Sequence, residues 1–418
     1  MALFVRKDVT TRRNVTAGAS TALVAVALLT TSCAGHDGEA TAQRADSAAS
    51  TTAHGYVEGA QEAAEQQSRL VLNDPGTGDT RVLDLTTGKV HEMPRSRGSS
   101  GLTTDGRFGY LHTAGGTRVL DSGAWTVDHG DHVHYYRAAV RDAGRIPGGG
   151  AARVRSDAAV TAVTGQDGRT AIYRRAELEK GRVTAARPLG AVHAGAVVPY
   201  ADHLLTLDDD GEGAPKVAVY DRAGRRAAAP DARCEHPTGD AVTPRGVVFG
   251  CADGALLIRA DNGGFAAERI PYGTDVPARE RALSFRHRPG SDTLTAPAGD
   301  RAVWALDVTK RTWTRVATGP VVAANAAGEG SPLLVLQDDG ALHGYDLTTG
   351  ERTSRTKRLL TDVPGDRTGA VIEVDRGRAY LNDPAGRRLY EIDYNDNLRI
   401  ARTFDLDMRP ALMVETGR

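Results

Sequence analysis

The chain has 418 residues, 25% of them charged and only 5% aromatic, with 48 glycines and 18 prolines. Its 52 Lys+Arg balance 53 Asp+Glu, which leaves no electrostatic footprint for nucleic acid. Beyond Leu29 no apolar run approaches the roughly 18 residues of a spanning helix, and short dense runs of Val, Leu and Ile argue against disorder.

Residues 1–32 read as a lipoprotein-type targeting signal. Arg6, Lys7, Arg12 and Arg13 form a basic leader, and the apolar stretch from Val15 to Leu29 is too short and too rich in Ala for a stable span. The Arg12-Arg13 pair suits twin-arginine export, but the Phe and Leu expected after it are missing, so the general route stays open as well. Cys33 follows Leu29-Thr30-Thr31-Ser32, which resembles a bacterial lipoprotein cleavage box with Thr30 where Leu is usual. Cys33 is the expected lipidation site; the alternative is an ordinary signal with an incidental cysteine.

Residues 33–65 read as a flexible tether, rich in Ala, Ser, Thr and Gly up to residue 53. Gly59 to Gln67 is the one stretch whose pattern suits a short helix. The expected protein is an exported monomer, either lipid-anchored on the outer face of the cytoplasmic membrane or secreted. It would meet the membrane only through the lipid. Without residues 1–32 the chain is mildly acidic, which serves solubility more than it selects a partner.

From residue 66 to the C-terminus a repeat of about forty residues organises the chain. Its unit is a strand ending in Asp, a turn, and another strand. The five residues Asp-Leu-Thr-Thr-Gly occur identically at 84–88 and 346–350, and weaker copies end at Asp121, Asp221, Asp261, Asp307 and Asp393. Asp bonds its own backbone in such turns, and Gly permits positive φ. A degenerate copy through Ala171-Ile172-Tyr173 fills the long gap between Asp121 and Asp221. Each copy holds about four β-prone runs, the pattern of a β-propeller blade. The expectation is a single all-β propeller of eight antiparallel four-stranded blades, with seven as the alternative. The first copy lacks its first strand, and Ala411 to Val414 can supply it, which would remove two exposed edges.

Chemistry concentrates in Asp128-His129-Gly130-Asp131-His132-Val133-His134-Tyr135-Tyr136. On an extended chain His132 and His134 face the same way. Two imidazoles so placed can share a metal, with Asp131 or Asp128 fixing a tautomer from behind. Further ligands must come from elsewhere. His193, His236 and, less strongly, His287 each stand beside a strand run, where propeller geometry would turn them toward the axis. His112, His203 and His343 read as ordinary blade positions. Cys234 and Cys251, 17 positions apart, leave two readings: a disulfide worth about 3 kcal/mol, or thiolate ligands. A disulfide would also pin the segment that carries His236.

Imidazole with carboxylate suits Zn2+, and 4 methionines speak against a copper(I) carrier. No Gly-x-Ser-x-Gly, His-Glu-x-x-His or P-loop occurs, so no enzyme is expected. Two other classes stay in view: a metal-dependent hydrolase or lactonase on the same fold, and a metal-free interaction scaffold.

Four segments resemble the AztD-type secreted zinc metallochaperones that accompany zinc ABC importers. They are Gly55 to Ala60 with the Glu/Ala/Gln run after it, Trp125 to Arg137, Val247 to Gly254, and the end of the chain at Thr416-Gly417-Arg418. The resemblance spans nearly the whole exported chain. It implies a propeller that binds zinc and passes it by ligand exchange to the solute-binding receptor of the importer. It further implies His132 and His134 as ligands, Cys234 with Cys251 as a disulfide, and His236 in place of a histidine that follows the first cysteine. His193, His129 and Asp131 complete the candidate set. The departure is at His236, followed here by Pro237-Thr238-Gly239-Asp240 where the family tends to have Gly-Glu.

Overall fold

A computed structural model describes residues 55–129, 132–150, 152–360, 362–363 and 369–418. All belong to one compact unit, Thr52–Arg418. The expected targeting signal, Cys33, most of the tether, Gly130 and Asp131 lie outside the described residues.

Strands dominate; the helical elements among the described residues are a single turn at Arg175–Glu179 and a 3-10 turn at Ala278–Glu280. Within the repeat, antiparallel strands follow one another in chain order. Residues 198–200, 203–208, 216–221 and 226–227 form one such sheet, and 240–243, 246–251, 254–261 and 264–271 form the next. Eight sheets of three or four strands follow in this series among the described residues, and a ninth of three strands stands apart from it. The two identical turns are built alike. Asp84 Oδ1 accepts from the Thr86 and Thr87 amides, and Asp346 Oδ1 from those of Thr348 and Thr349. Gly88 and Gly350 take φ of 71° and 72°, where a side chain would be strained.

Successive side chains on a strand point to opposite faces, and here both faces are buried. Leu70 and Leu72 pack toward the last sheet of the series, against Tyr380 and Leu389, while Val71 packs toward the second, against Leu111 and Leu120. Leu333 and Val335 face one neighbour, and Leu334 and Leu336 the other. That is why the strands read as continuous apolar runs. Every sheet of the series shares an apolar cluster with the sheet before it and the sheet after it, and the last shares one with the first. The sheets therefore close into a ring, the arrangement of a β-propeller.

Closure is covalently economical. Strand Leu412–Thr416 pairs with Arg69–Asn73, so the chain's last strand is the inner strand of the sheet that holds its first repeat. A channel remains along the axis, with a cavity of about 490 Å³ lined by Arg155, Asp240, His287, Glu373 and Arg418 among others.

The ninth sheet combines Ala124–Asp128 and Val133–Arg137 with Gln61–Ala63. The first two strands are an insertion between the third and fourth strands of the second sheet. The third corrects the expected helix at 59–67: the stretch is extended, and Gln61, Glu62 and Ala63 pair with Arg137, Tyr136 and Tyr135. A nine-residue segment is marginal as a helix, whereas the hairpin's free edge offers ready backbone partners.

Asp121, fully buried, anchors this insertion at its base. It accepts Arg107 Nε at 3.1 Å and Nη2 at 3.0 Å, Arg141 Nη2 at 3.0 Å, and the Gly123 amide at 3.0 Å. The Arg107 guanidinium lies 3.8 Å from the centre of the Trp125 ring, which stacks on Tyr136. Removing the carboxylate leaves the buried Arg107 guanidinium with Glu179, at 3.8 Å, as its remaining acid. Asp121→Ala should cost about 3–5 kcal/mol in denaturant unfolding; a loss below about 1 kcal/mol would show that the network does not anchor the fold.

Two histidines link stability to pH. Burial pushes His112 down to about 4, and burial together with the Arg418 charge does the same to His287 in the channel. Both are neutral in the folded protein and protonate more readily once unfolded. Their stabilisation is complete above about pH 6.5 and is lost as pH falls toward 4. The melting temperature should fall over that window, with a shallower slope in His112→Gln.

Candidate metal centre

The hairpin that ends at Asp128 and resumes at Val133 carries the densest imidazole group among the described residues. His129, His132 and His134 each offer a ring nitrogen, and these atoms all lie within 4.8 Å of one another. The His129 amide donates to the His132 carbonyl at 3.0 Å, which closes the turn and brings the rings together. Ring centres are 4.8 Å apart for His129 and His132 and 4.9 Å for His132 and His134. His129 and His132 are exposed and His134 is half-buried.

His134 is oriented from behind. Its Nδ1 lies 2.7 Å from Glu62 Oε1. An ionised carboxylate only accepts, so Nδ1 carries the proton and Nε2 is left as the ligand atom. On its other side the ring stacks at 6.2 Å on Tyr136, which is fully buried. Trp125, beneath Tyr136, donates its indole N–H to the Gly55 carbonyl at 3.1 Å. The chain before the propeller thus contributes a strand, a carboxylate and a carbonyl to the support of this site.

Three imidazoles suit a tetrahedral ion with one position open. Metal bonds near 2.0–2.1 Å would draw the three nitrogens to about 3.3 Å apart, a closure of about 1.5 Å that side-chain rotation supplies.

No protein-family model matches the chain. Solved structures do. AztD from Citrobacter koseri, in an apo structure and in a second crystal structure, superimposes with a TM-score of 0.69 in each case, at 18% and 20% identity. The match covers 84% of this chain and 98% of that one. The fold is that of AztD. The dihydro-heme d1 dehydrogenase NirN, solved in complex with DHE, follows at a TM-score of 0.52 and 16% identity, over 85% of this chain and 76% of its own. Such identities speak to architecture and leave the site to be argued from its own residues.

On this AztD-like frame the structure gathers His132 and His134, as their spacing predicts, and joins His129 to them. It does not bring His193 or His236 to that group. The reason is topological. In an up-and-down sheet, links from a third to a fourth strand lie at one end, and links from a fourth strand to the next sheet lie at the other. The hairpin is of the first kind, while His193 and His236 sit in links of the second. Inner strands of three to five residues separate the two ends by about 10–17 Å.

His193 is buried, and its Nε2 has no hydrogen-bond partner. Its Nδ1 meets Asp208 Oδ1 at 2.7 Å, and Tyr220 OH donates to Asp208 Oδ2 at 2.6 Å. His236 is exposed, with φ of 44°, just after Cys234. Cys234 and Cys251 form a disulfide, with Cα atoms 5.2 Å apart, and the Ala252 amide donates to Glu235 at 2.8 Å. The bond therefore does pin the His236 segment, at the end away from the imidazole group. His287 does line the channel, where its Nε2 faces the Val242 carbonyl at 3.3 Å.

Glu62 is the functional residue that sequence reasoning missed. It lies 72 positions from His134, in a stretch whose Glu and Gln read as helix surface. Glu62→Gln should weaken Zn2+ affinity by about 10–100-fold in a chelator competition; an unchanged affinity would show that the carboxylate does not orient the ligand.

Proposed function

We propose that the chain is an AztD-type zinc-binding protein, an exported metallochaperone that hands Zn2+ to the solute-binding receptor of a zinc ABC importer. The reading rests on one observation above all. The string that resembles the AztD-type proteins, Trp125 to Arg137, is the segment that folds into a group of three imidazoles. The fold shared with AztD supports it.

The donor set favours zinc: neutral nitrogen ligands, a carboxylate behind one of them, and a tetrahedral count left one short. Delivery proceeds by ligand exchange. Two of the three imidazoles face solvent at the rim of the fold, so an acceptor's ligands can enter the open position and displace them one at a time. Imidazole ligates only when neutral, so affinity falls as acidity rises. In this reading the eight consecutive sheets are eight blades, with the hairpin an addition to the second. The protein works as a monomer outside the cytoplasmic membrane, tethered through a lipid on Cys33 or secreted. It has no catalytic role, and no nucleic acid is involved.

The test is direct. Replacing His132 and His134 together with Ala should abolish tight Zn2+ binding while the melting curve of the metal-free protein stays in place. Zinc affinity undiminished in that variant sinks the assignment. Transfer is checked by mixing the zinc-loaded protein with a metal-free receptor. Zinc should cross faster than it dissociates into a chelator, and a rate equal to free dissociation would leave a zinc store without a delivery role.

A further inference from the structure

The end of the ring that carries the hairpin also carries two guanidiniums with no carboxylate committed to them. Arg288 and Arg376 line the same cavity of about 410 Å³, and both also border a second pocket with Asp128 and Val133 of the hairpin. Arg288 is half-buried and spends its hydrogen bonds on backbone carbonyls: Nε on Ala327 at 2.8 Å and Nη1 on Pro289 at 2.9 Å. Among the described residues neither arginine forms an ion pair. Burial first, and then the neighbouring Arg376 charge, oppose the charge on Arg288. Two neighbouring arginines without a carboxylate partner leave guanidinium donors open to a ligand.

The acids of the same cavity are already engaged. Asp292 Oδ2 takes Arg245 Nε at 3.0 Å and the Thr309 hydroxyl at 3.0 Å, while its Oδ1 is buried without a hydrogen-bond partner. Asp307 and Glu329 share Lys310, at 3.0 Å and 2.6 Å. Asp375, beside Arg376, accepts the Gly377 and Arg378 amides at 2.9 Å each.

The cavity also has a floor shaped by a missing side chain. A Cβ on Gly328, whose φ is 138°, would sit 3.0 Å from Ser291 Oγ and 3.9 Å from Arg288 Nη2. Ser291 Oγ accepts the Thr293 amide at 3.1 Å, which leaves its own proton to donate. Arg288 Nη2, the Ser291 hydroxyl and the bare Gly328 backbone thus meet at one place, with Arg376 beside them.

We propose that this cavity binds a small oxyanion, a phosphate or carboxylate group, held by the guanidiniums of Arg288 and Arg376 and by the Ser291 hydroxyl. Planar guanidinium suits an oxyanion because it donates two parallel bonds to two oxygens. None of the three imidazoles lines this cavity, so the proposed anion contacts use no zinc ligand.

The experiment titrates the metal-free protein with inorganic phosphate and, separately, with citrate, by calorimetry at fixed ionic strength. Saturable binding of phosphate alone assigns a phosphate group; binding of citrate alone assigns a carboxylate; binding of both assigns a site for either. Arg376→Gln alters an exposed side chain, keeps the fold, and should weaken binding about tenfold. Arg288→Gln should abolish it. The proposal is overturned if neither anion binds saturably at millimolar concentration, or if bound anion is held equally well by Arg376→Gln. A folded His132/His134 double variant should bind the anion as the unaltered protein does, so failure of the zinc reading and failure of this one are seen separately.

Discussion

No sheet in this molecule has a core of its own. In the ring, the central strands of each sheet bury one face against the sheet before and the other against the sheet after, so every sheet of the ring depends on two neighbours. A row of such sheets would expose an apolar face at both ends. The ring removes both at once, and the pairing of Leu412–Thr416 with Arg69–Asn73 holds it shut. Residues more than 300 positions apart thus complete one sheet, and apolar burial through the remaining sheets counts fully only when that sheet is formed.

The imidazole group depends on that rigidity without being part of it. It sits on a hairpin that leaves the second sheet of the series and returns, with Asp121 and its two arginines fastening both ends of the excursion. The division of labour is physical. The ring supplies a frame whose loops cannot wander far, and the insertion supplies a surface whose ligands solvent and partners can reach. A site buried on the axis would hold an ion more firmly, but a second protein could approach it only along the channel. On the proposed reading, the rim position would favour exchange over retention.

Much of this frame is legible in the chain. The Asp-Leu-Thr-Thr-Gly turns, the four β-prone runs in each repeat and the missing first strand of the first repeat are local signals, and a C-terminal strand that could fill the gap is written beside them. The spacing of His132 and His134 is local too. What sequence could not show is which end of the ring each histidine faces, because that depends on counting strands between sites far apart. His193 and His236 stand in links that lead toward the opposite end. The extended state of Gln61–Ala63 escaped for a related reason: short polar stretches take the structure their neighbours offer, and the neighbour here is a hairpin edge 72 positions away. Glu62 became visible as a partner of His134 only once that pairing was known.

The strand Gln61–Ala63 has a practical side. It is three residues long, it pairs along one edge only, and it joins the propeller to whatever precedes it. Chain trimming, proteolysis or a fused tag that disturbs residue 61 would leave the ring intact by every measure of folding and still loosen the ring nitrogen that Glu62 holds. If the imidazole group holds a metal as proposed, two preparations of the same protein cut a few residues apart would differ in the metal they retain.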